Sequence, residues 1–284
     1  MDNKTHSQLQ KVHGLHLMLA KEVARLCEKH GLRYFLIAGT LLGAVRHGGF
    51  IPWDDDMDIG LLREDYDRFL VICAEELDTQ VFFLQTTDTD PYYALPFAKL
   101  QLVGTRFLEQ NASGHAAAGI YLDVFPFDNV PENLRLRRRH NRRLYVQKRL
   151  LLAKMGYKPW ASTPGWRKRA VYALLSLGAH LRTRKGLAHK LEQELRRYNA
   201  SPTDLIVAGG GSYGYTRETI RRDWIAALTP LPFEDATFTV PAAYTDYLTY
   251  FYGDYMTPPP PEKRYDRHSI VEIDFGPYED ILIP

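Results

Sequence analysis

Tyr34-Phe35-Leu36-Ile37-Ala38-Gly39-Thr40, followed after a short interval by Met57-Asp58-Ile59-Gly60-Leu61, is the stretch that decides the fold. A short apolar run closed by Gly39-Thr40 predicts a buried strand. Residues 41–46 then predict a helical turn whose free backbone N–H groups face the strand end, a place for an anion. Gly48-Gly49 and Pro52 make the next piece a loop, and Met57 to Leu61 predicts a second strand with acidic residues on one side. Upstream, Val12, Leu15, Leu19, Val23 and Leu26 recur at three- and four-residue spacings, so an amphipathic helix is expected to end near Gly31. Downstream, residues 63–77 read as a helix with Glu64 and Asp65 in its first turn, where the macrodipole favours negative charge. Further strands are expected at 81–84, 97–103, 106–109, 120–125 and 205–208. Together these elements predict an α/β (α+β) fold, a mixed sheet flanked by helices.

The middle of the chain differs in composition. From Pro131 to about Tyr198 it is basic and helical, with Arg135, Arg137, Arg138, Arg139, Arg142, Arg143, Lys148 and Arg149 in close succession. We expect a catalytic core at 1–130, a basic helical subdomain or insertion at 131–200, and a C-terminal part at 201–284 that completes the core. A basic stretch of this kind is either a solvated face or a contact surface for an anionic lipid, pyrophosphate or nucleotide. In the C-terminal part Gly209-Gly210-Gly211 reads as a loop and Pro258 to Pro261 as a stiff exposed segment.

Bulk properties exclude several classes. The 36 basic and 34 acidic residues of the 284-residue chain leave a net charge of +2, without the basic excess a general nucleic-acid binder needs. Cys27 and Cys73 stand alone among apolar residues, which predicts buried thiols and supports neither a disulfide framework nor a cysteine zinc site. The start, Met1 to His13, is polar and lacks the apolar segment of a secretory signal, so a cytoplasmic protein is expected and the sequon at Asn111-Ala112-Ser113 carries little meaning. No apolar run reaches the roughly 18 to 20 residues of a membrane span. Any membrane contact is therefore expected to be peripheral, at the inner face.

The run Asp54-Asp55-Asp56-Met57-Asp58 carries the chemistry. Asp56 and Asp58 are separated by one residue, so on a strand their side chains leave the same face while Met57 and Ile59 turn into the core. Two carboxylates on one face repel unless a cation lies between them, and hard oxygen ligands suit Mg2+ or Mn2+. Asp54 and Asp55 precede the strand and are expected to orient the loop. A merely solvated acidic loop fits poorly with the flanking Phe50, Ile51, Pro52, Trp53, Met57 and Ile59. An EF-hand loop fails because Ile59 stands where glycine is required and Asp65 where glutamate is required. Alone, the Asp-x-Asp pattern suits a nucleotidyltransferase or a glycosyltransferase using a nucleotide sugar. A strand ending in Gly-Thr, a short helix and an Asp-apolar-Asp strand form the arrangement of nucleotidyltransferase-fold enzymes, which calls for a third carboxylate on a neighbouring strand. Asp123, in Ile120-Tyr121-Leu122-Asp123-Val124-Phe125, is the candidate, with Asp128 behind it.

Ala38-Gly39-Thr40-Leu41-Leu42-Gly43-Ala44-Val45-Arg46-His47, with Phe50-Ile51-Pro52-Trp53-Asp54-Asp55-Asp56-Met57-Asp58-Ile59-Gly60, closely resembles the LicD family. The resemblance continues through Lys99-Leu100, the Asp123 strand, Leu231-Pro232-Phe233, Tyr252-Gly253-Asp254-Tyr255-Met256 and Pro258-Pro259, and is absent from the basic helical middle. It implies a metal-dependent phosphotransferase that moves an alcohol phosphate from a CDP-linked donor, CDP-choline among them, to a hydroxyl of a cell-surface saccharide or its lipid-linked precursor. Fukutin-type relatives with a cysteine zinc site have no counterpart here, since the two cysteines are distant.

By that resemblance Asp56, Asp58 and Asp123 would hold the metal and carry catalysis, with Asp123 as ligand or as base. Gly39, Thr40, Arg46, Trp53, Asp54, Asp55 and Lys99 would bind substrate, as would His268 beside Arg264 and Arg267. Choline would call for an aromatic cage, for which Trp53, Tyr92, Tyr93 and Tyr121 lie near in sequence. The rival expectations are a metal-dependent glycosyltransferase and a non-catalytic protein that binds nucleotide or lipid through the basic helices.

Overall fold

A computed structural model describes residues 3–110, 115–157, 165, 173, 175–264 and 270–280. The apolar stripe of the first segment forms helix α1 (Asn3–Lys29), which buries Val12, Leu15, Leu19, Val23 and Leu26 and packs across strands Ala98–Leu102 and Tyr121–Asn129 and helix Arg63–Glu76. The strands are β1 (Tyr34–Leu36), β2 (Asp58–Leu62), β3 (Phe82–Gln85), β4 (Ala98–Leu102), β5 (Arg106–Glu109) and β6 (Tyr121–Asn129) in the first half of the chain. β7 (Leu205–Ala208), β8 (Thr219–Arg221), β9 (Leu228–Phe233), β10 (Ala236–Pro241) and β11 (Ile270–Asp274) follow in the second. The main sheet runs β1-β2-β6-β4-β3, with β7 and β8 continuing from the second half of β6. β2 and β6 are parallel, whereas β1–β2, β3–β4, β4–β6, β6–β7 and β7–β8 are antiparallel. The expected mixed sheet flanked by helices is therefore present.

Every residue of β6 is buried, as befits a strand covered on both faces. Pro126 sits in it at a place where a missing N–H is tolerated. Pairing with β4 ends at Val124 and pairing with β7 begins at Phe127, so Pro126 falls in the gap between partners. β6 thus runs four residues beyond the expected 120–125 because the chain finds a second partner there, which local sequence does not announce.

Helix α2 (Ala38–His47) starts earlier than expected. Leu41 N already bonds Ile37 O at 2.9 Å, so Gly39 and Thr40 lie inside the first helical turn and do not close the strand. Helix α3 (Arg63–Glu76) follows β2 directly. Helices α4 (Leu134–Lys154) and α5 (Arg184–Leu195) form the basic layer, with a smaller core of Leu144, Leu150, Leu151, Leu187, Leu191 and Leu195. A buried ionic network ties this layer to the sheet. Arg63 donates to both oxygens of Asp128, at 2.8 and 2.6 Å, and to Glu192 Oε1 at 2.9 Å, while Asn199 Nδ2 donates to Asp128 Oδ1 at 2.6 Å. Asp128, the reserve candidate for a third catalytic carboxylate, is thereby committed to structure.

The hairpin β9–β10 and helix α6 (Tyr244–Tyr252) complete the fold. Pro230 and Pro232 disguise β9 as loop in the sequence; a two-stranded hairpin tolerates them because half its N–H groups have no ladder partner. Among the described residues no helix is long and apolar enough to cross a membrane.

Candidate active site

Two short-range constraints fix the acidic loop beside the start of α2. Thr40 Oγ1 accepts a 2.8 Å hydrogen bond from Asp58 N, which ties the first turn of the helix to the first residue of β2. Gly39 faces Asp54 so closely that a Cβ there would lie 2.5 Å from Asp54 Oδ2; only glycine permits this approach. His13 of α1 holds the loop from the other side, its Nε2 2.7 Å from Asp54 O and its ring stacked on Phe50 at 4.2 Å. The β9–β10 turn adds a clamp, since Glu234 Oε1 accepts from Phe50 N at 2.9 Å and Glu234 N donates to Gly48 O at 2.8 Å. Neither His13 nor Glu234 carried a functional signal in the sequence: His13 lies within a helix stripe and Glu234 in a distant turn.

β2 delivers Asp58 next to Asp123, because the two residues are register partners on the parallel strands β2 and β6 and Asp123 N donates to Met57 O at 3.0 Å. Met57 and Ile59 are fully buried, as the alternation required. Asp56 precedes the strand instead of lying on it. Among the described residues, the carboxylates that place oxygens within 4.8 Å of one another are those of Asp54, Asp55 and Asp56. The structure therefore gathers a triplet different from the expected Asp56, Asp58 and Asp123, with Asp56 common to both. Asp55, expected as an orienting group, is buried.

Asp123 faces a cation supplied by the neighbouring antiparallel strand. Lys99, its register partner on β4, places Nζ 3.0 Å from Asp123 Oδ1 and 3.8 Å from Glu109 Oε1. The same ammonium lies over the Tyr121 ring, 3.1 Å from its centroid, and the Tyr121 hydroxyl donates to Glu109 at 2.6 Å. Burial pushes the Asp123 carboxyl up to about 6; Lys99 opposes the rise, and the nearby Asp56 and Glu109 add to it. A carboxyl tuned to this range suits proton transfer near neutral pH. Glu109, which sequence reasoning passed over, belongs to this cluster because β5 turns its side chain toward Lys99 and Tyr121.

Arg46, at the end of α2, donates to Tyr255 O at 3.0 Å and to His47 Nε2 at 2.9 Å. Burial lowers its pKa, with Arg264 lowering it as well and Tyr252 and Asp54 opposing. Arg264 covers the Trp53 ring at 5.2 Å, so Trp53, Arg46 and Arg264 make a cationic rim beside Asp54. The four aromatic residues proposed as a choline cage have separate surroundings. Trp53 carries Arg264, Tyr121 carries Lys99, Tyr93 is buried, and the exposed Tyr92 stacks on His115 at 5.3 Å. His268 and Arg267 lie outside the described residues.

Comparison with known proteins accords with this geometry. Residues 31–151 match the family model described as LicD/FKTN/FKRP, nucleotidyltransferase domain. The chain is 29% identical over 249 residues, 86% of this chain and 89% of the relative, to the lipopolysaccharide cholinephosphotransferase LicD of Haemophilus influenzae. A 46-residue segment is 52% identical to the human ribitol 5-phosphate transferase FKRP, covering 16% of this chain and 9% of that protein.

Proposed function

We propose, from the match of residues 31–151 to the LicD/FKTN/FKRP nucleotidyltransferase domain and the geometry of the site, that the chain is a phosphotransferase moving an alcohol phosphate from a CDP-linked donor to a saccharide hydroxyl. The observation that supports this most is the convergence of the Gly39-Thr40 helix start, the Asp54–Asp58 run and the Lys99–Asp123 pair at the ends of three adjacent elements. Phosphoryl transfer needs little covalent help and much positioning and charge neutralisation, and that is what this set offers. Phosphocholine is the transferred group named for the LicD relative, which makes a choline donor the first to test, with a ribitol-type alcohol as the alternative.

In the proposed reaction the acceptor hydroxyl oxygen attacks the donor phosphorus that bears the alcohol, and the bond from that phosphorus to the bridging oxygen breaks. CMP leaves with that oxygen, and the alcohol phosphate becomes a phosphodiester on the sugar. Asp123 accepts the hydroxyl proton, and Lys99 beside it stabilises the carboxylate until the proton arrives. Arg46 and the first-turn N–H groups of α2 bind the donor phosphates. The donor set fits Mg2+ or Mn2+, because three carboxylates crowd one loop and only hard cations favour such oxygens. Asp56, shared by the loop triplet and the face toward Asp123, would hold the ion together with its aspartate neighbours; when bound, the ion neutralises the diphosphate charge.

Incubation with CDP-choline, other CDP-alcohols, Mg2+ and a panel of glycans tests the proposal by release of CMP. Turnover should need the divalent ion and fall by about 100-fold or more in Asp56→Asn or Asp58→Asn, the scale of lost metal stabilisation. No CMP from any CDP-alcohol, or wild-type rates in both variants, would sink it. A glycosyltransferase would instead release a nucleoside diphosphate from a sugar nucleotide.

A further inference from the structure

Helix α4 offers a surface with a use the phosphotransfer site does not explain. Residues 134–154 include nine arginines and lysines and no acidic residue. At about 100° per residue, Arg135, Arg138, Arg139, Arg142, Tyr145, Val146 and Arg149 fall on an arc of about 120° that extends about 21 Å along the axis. The opposite face is fixed inward. His140, Leu144 and Leu151 are buried there, with the His140 ring bonded to Tyr215 Oη at 2.9 Å and Glu194 O at 2.8 Å. The arginine arc therefore points away from the fold.

Three features separate this arc from an ordinary solvated face. Among the described residues, Arg135, Arg138, Arg139 and Arg142 have no carboxylate within ion-pair distance, although other arginines of the same layer are paired, such as Arg196 with Asp67 and Glu192. Large apolar side chains stand exposed on the same helix, Leu134 at 62%, Leu136 at 45%, Tyr145 at 49% and Val146 at 41%, with Leu177 and Leu181 on the adjoining segment at 63% and 84%. Finally, the charge is segregated: residues 131–200 hold 19 basic and three acidic residues, net +16, so with a total of +2 the remainder carries −14.

We propose that the α4 face, with Leu177 and Leu181, docks the protein on an anionic lipid bilayer. Arginines meet the lipid phosphates while Tyr145 and Val146, which lie among them on the arc, enter the headgroup boundary. A nucleic acid would satisfy the arginines but gives the aliphatic side chains nothing to enter. The −14 remainder turns the rest of the molecule away from the same surface and so orients it.

Sedimentation of the whole protein with phosphatidylcholine vesicles, with and without about 30% phosphatidylglycerol, tests this. Binding is expected only with the anionic lipid and is expected to weaken between about 0.1 M and about 0.5 M salt. R138E/R139E/R142E should weaken it by on the order of 100-fold, from about five-fold per basic residue. The same number of reversals at exposed Arg25, Arg106 and Lys263 should not. Tyr145→Ser/Val146→Ser should weaken vesicle binding several-fold while leaving the salt dependence, an outcome that does not depend on whether the triple variant folds. Equal binding to neutral vesicles, insensitivity to the α4 reversals, or heparin and duplex DNA binding as tightly as anionic vesicles with no effect of Tyr145→Ser/Val146→Ser would overturn the proposal.

Discussion

Gly39 and Thr40 do different work although they are neighbours. Gly39→Ala places a methyl against the Asp54 carboxylate; overpacking of this kind costs about 1–3 kcal/mol, and the displaced loop should lower turnover by about 100-fold. Thr40→Val removes the acceptor of Asp58 N and leaves a backbone donor unsatisfied, a loss of about 1–3 kcal/mol. Thermal unfolding and CMP release measured on the same samples check both; variants with wild-type values in either measurement contradict the clamp. Asp123 predicts a pH profile. Its carboxyl must be ionised to accept a proton and sits up at about 6, so kcat/KM should fall as pH drops through about 6. Since Lys99 lowers that pKa, Lys99→Met should move the acidic limb to higher pH. Glu218 is a second buried carboxyl, pushed up to about 7 first by burial, with Tyr213 N, Lys148 and Arg217 opposing. Its folded pKa lies above the unfolded one, so its contribution is present below about 4.5 and lost as pH rises through about 7. Chemical denaturation between pH 5 and 8 should therefore show a decline that flattens in Glu218→Gln; an unchanged slope contradicts the assignment.

Between elements, the buried Arg63–Asp128 pair decides how α3, β6 and the basic layer stay in register. Removing one partner, as in Asp128→Asn, leaves the buried Arg63 guanidinium with only the partly exposed Glu192 and Asp67 as counter-charges and should cost about 3 kcal/mol, read as a lower urea midpoint. Arg63→Met/Asp128→Leu should recover much of that loss; a double variant weaker than both singles would contradict the pairing. The strongly periodic elements are legible in the sequence: the α1 stripe, the Met57–Ile59 alternation, the 106–109 and 205–208 strands and the mixed sheet. What stayed hidden depended on partners far away in sequence. β6 lengthens because β7 takes over its edge, β9 forms despite two prolines because it pairs only with β10, and His13 and Glu234 matter only because folding brings them to the loop. The site followed the same division. The acidic run and Asp123 stood out by residue type and spacing and Lys99 by the family resemblance, while the gathering of Asp54, Asp55 and Asp56 required a loop whose course Gly39 and His13 determine.

At the scale of the molecule, an acidic core holding the candidate phosphotransfer site joins a strongly basic helical layer through the buried Arg63–Asp128 network and through hydrogen bonds such as Lys148 Nζ to Gly210 O at 2.9 Å. The 670 Å3 cavity between them is lined by Phe97 of the core, whose ring lies 5.8 Å from the Lys99 ammonium, and by Arg184, Lys185 and His189 of the layer. If the acceptor enters here, Phe97→Ala should raise KM for the glycan more than for the CDP-alcohol; equal effects in steady-state kinetics would place the acceptor elsewhere. Phosphorus NMR of the complete reaction reads directly which bond is broken. With a CDP-alcohol, a glycan acceptor and Mg2+, CMP and a new sugar phosphodiester should grow one for one, and neither should form once the ion is chelated. Appearance of CDP in place of CMP, or CMP without a phosphodiester on the sugar, would contradict it.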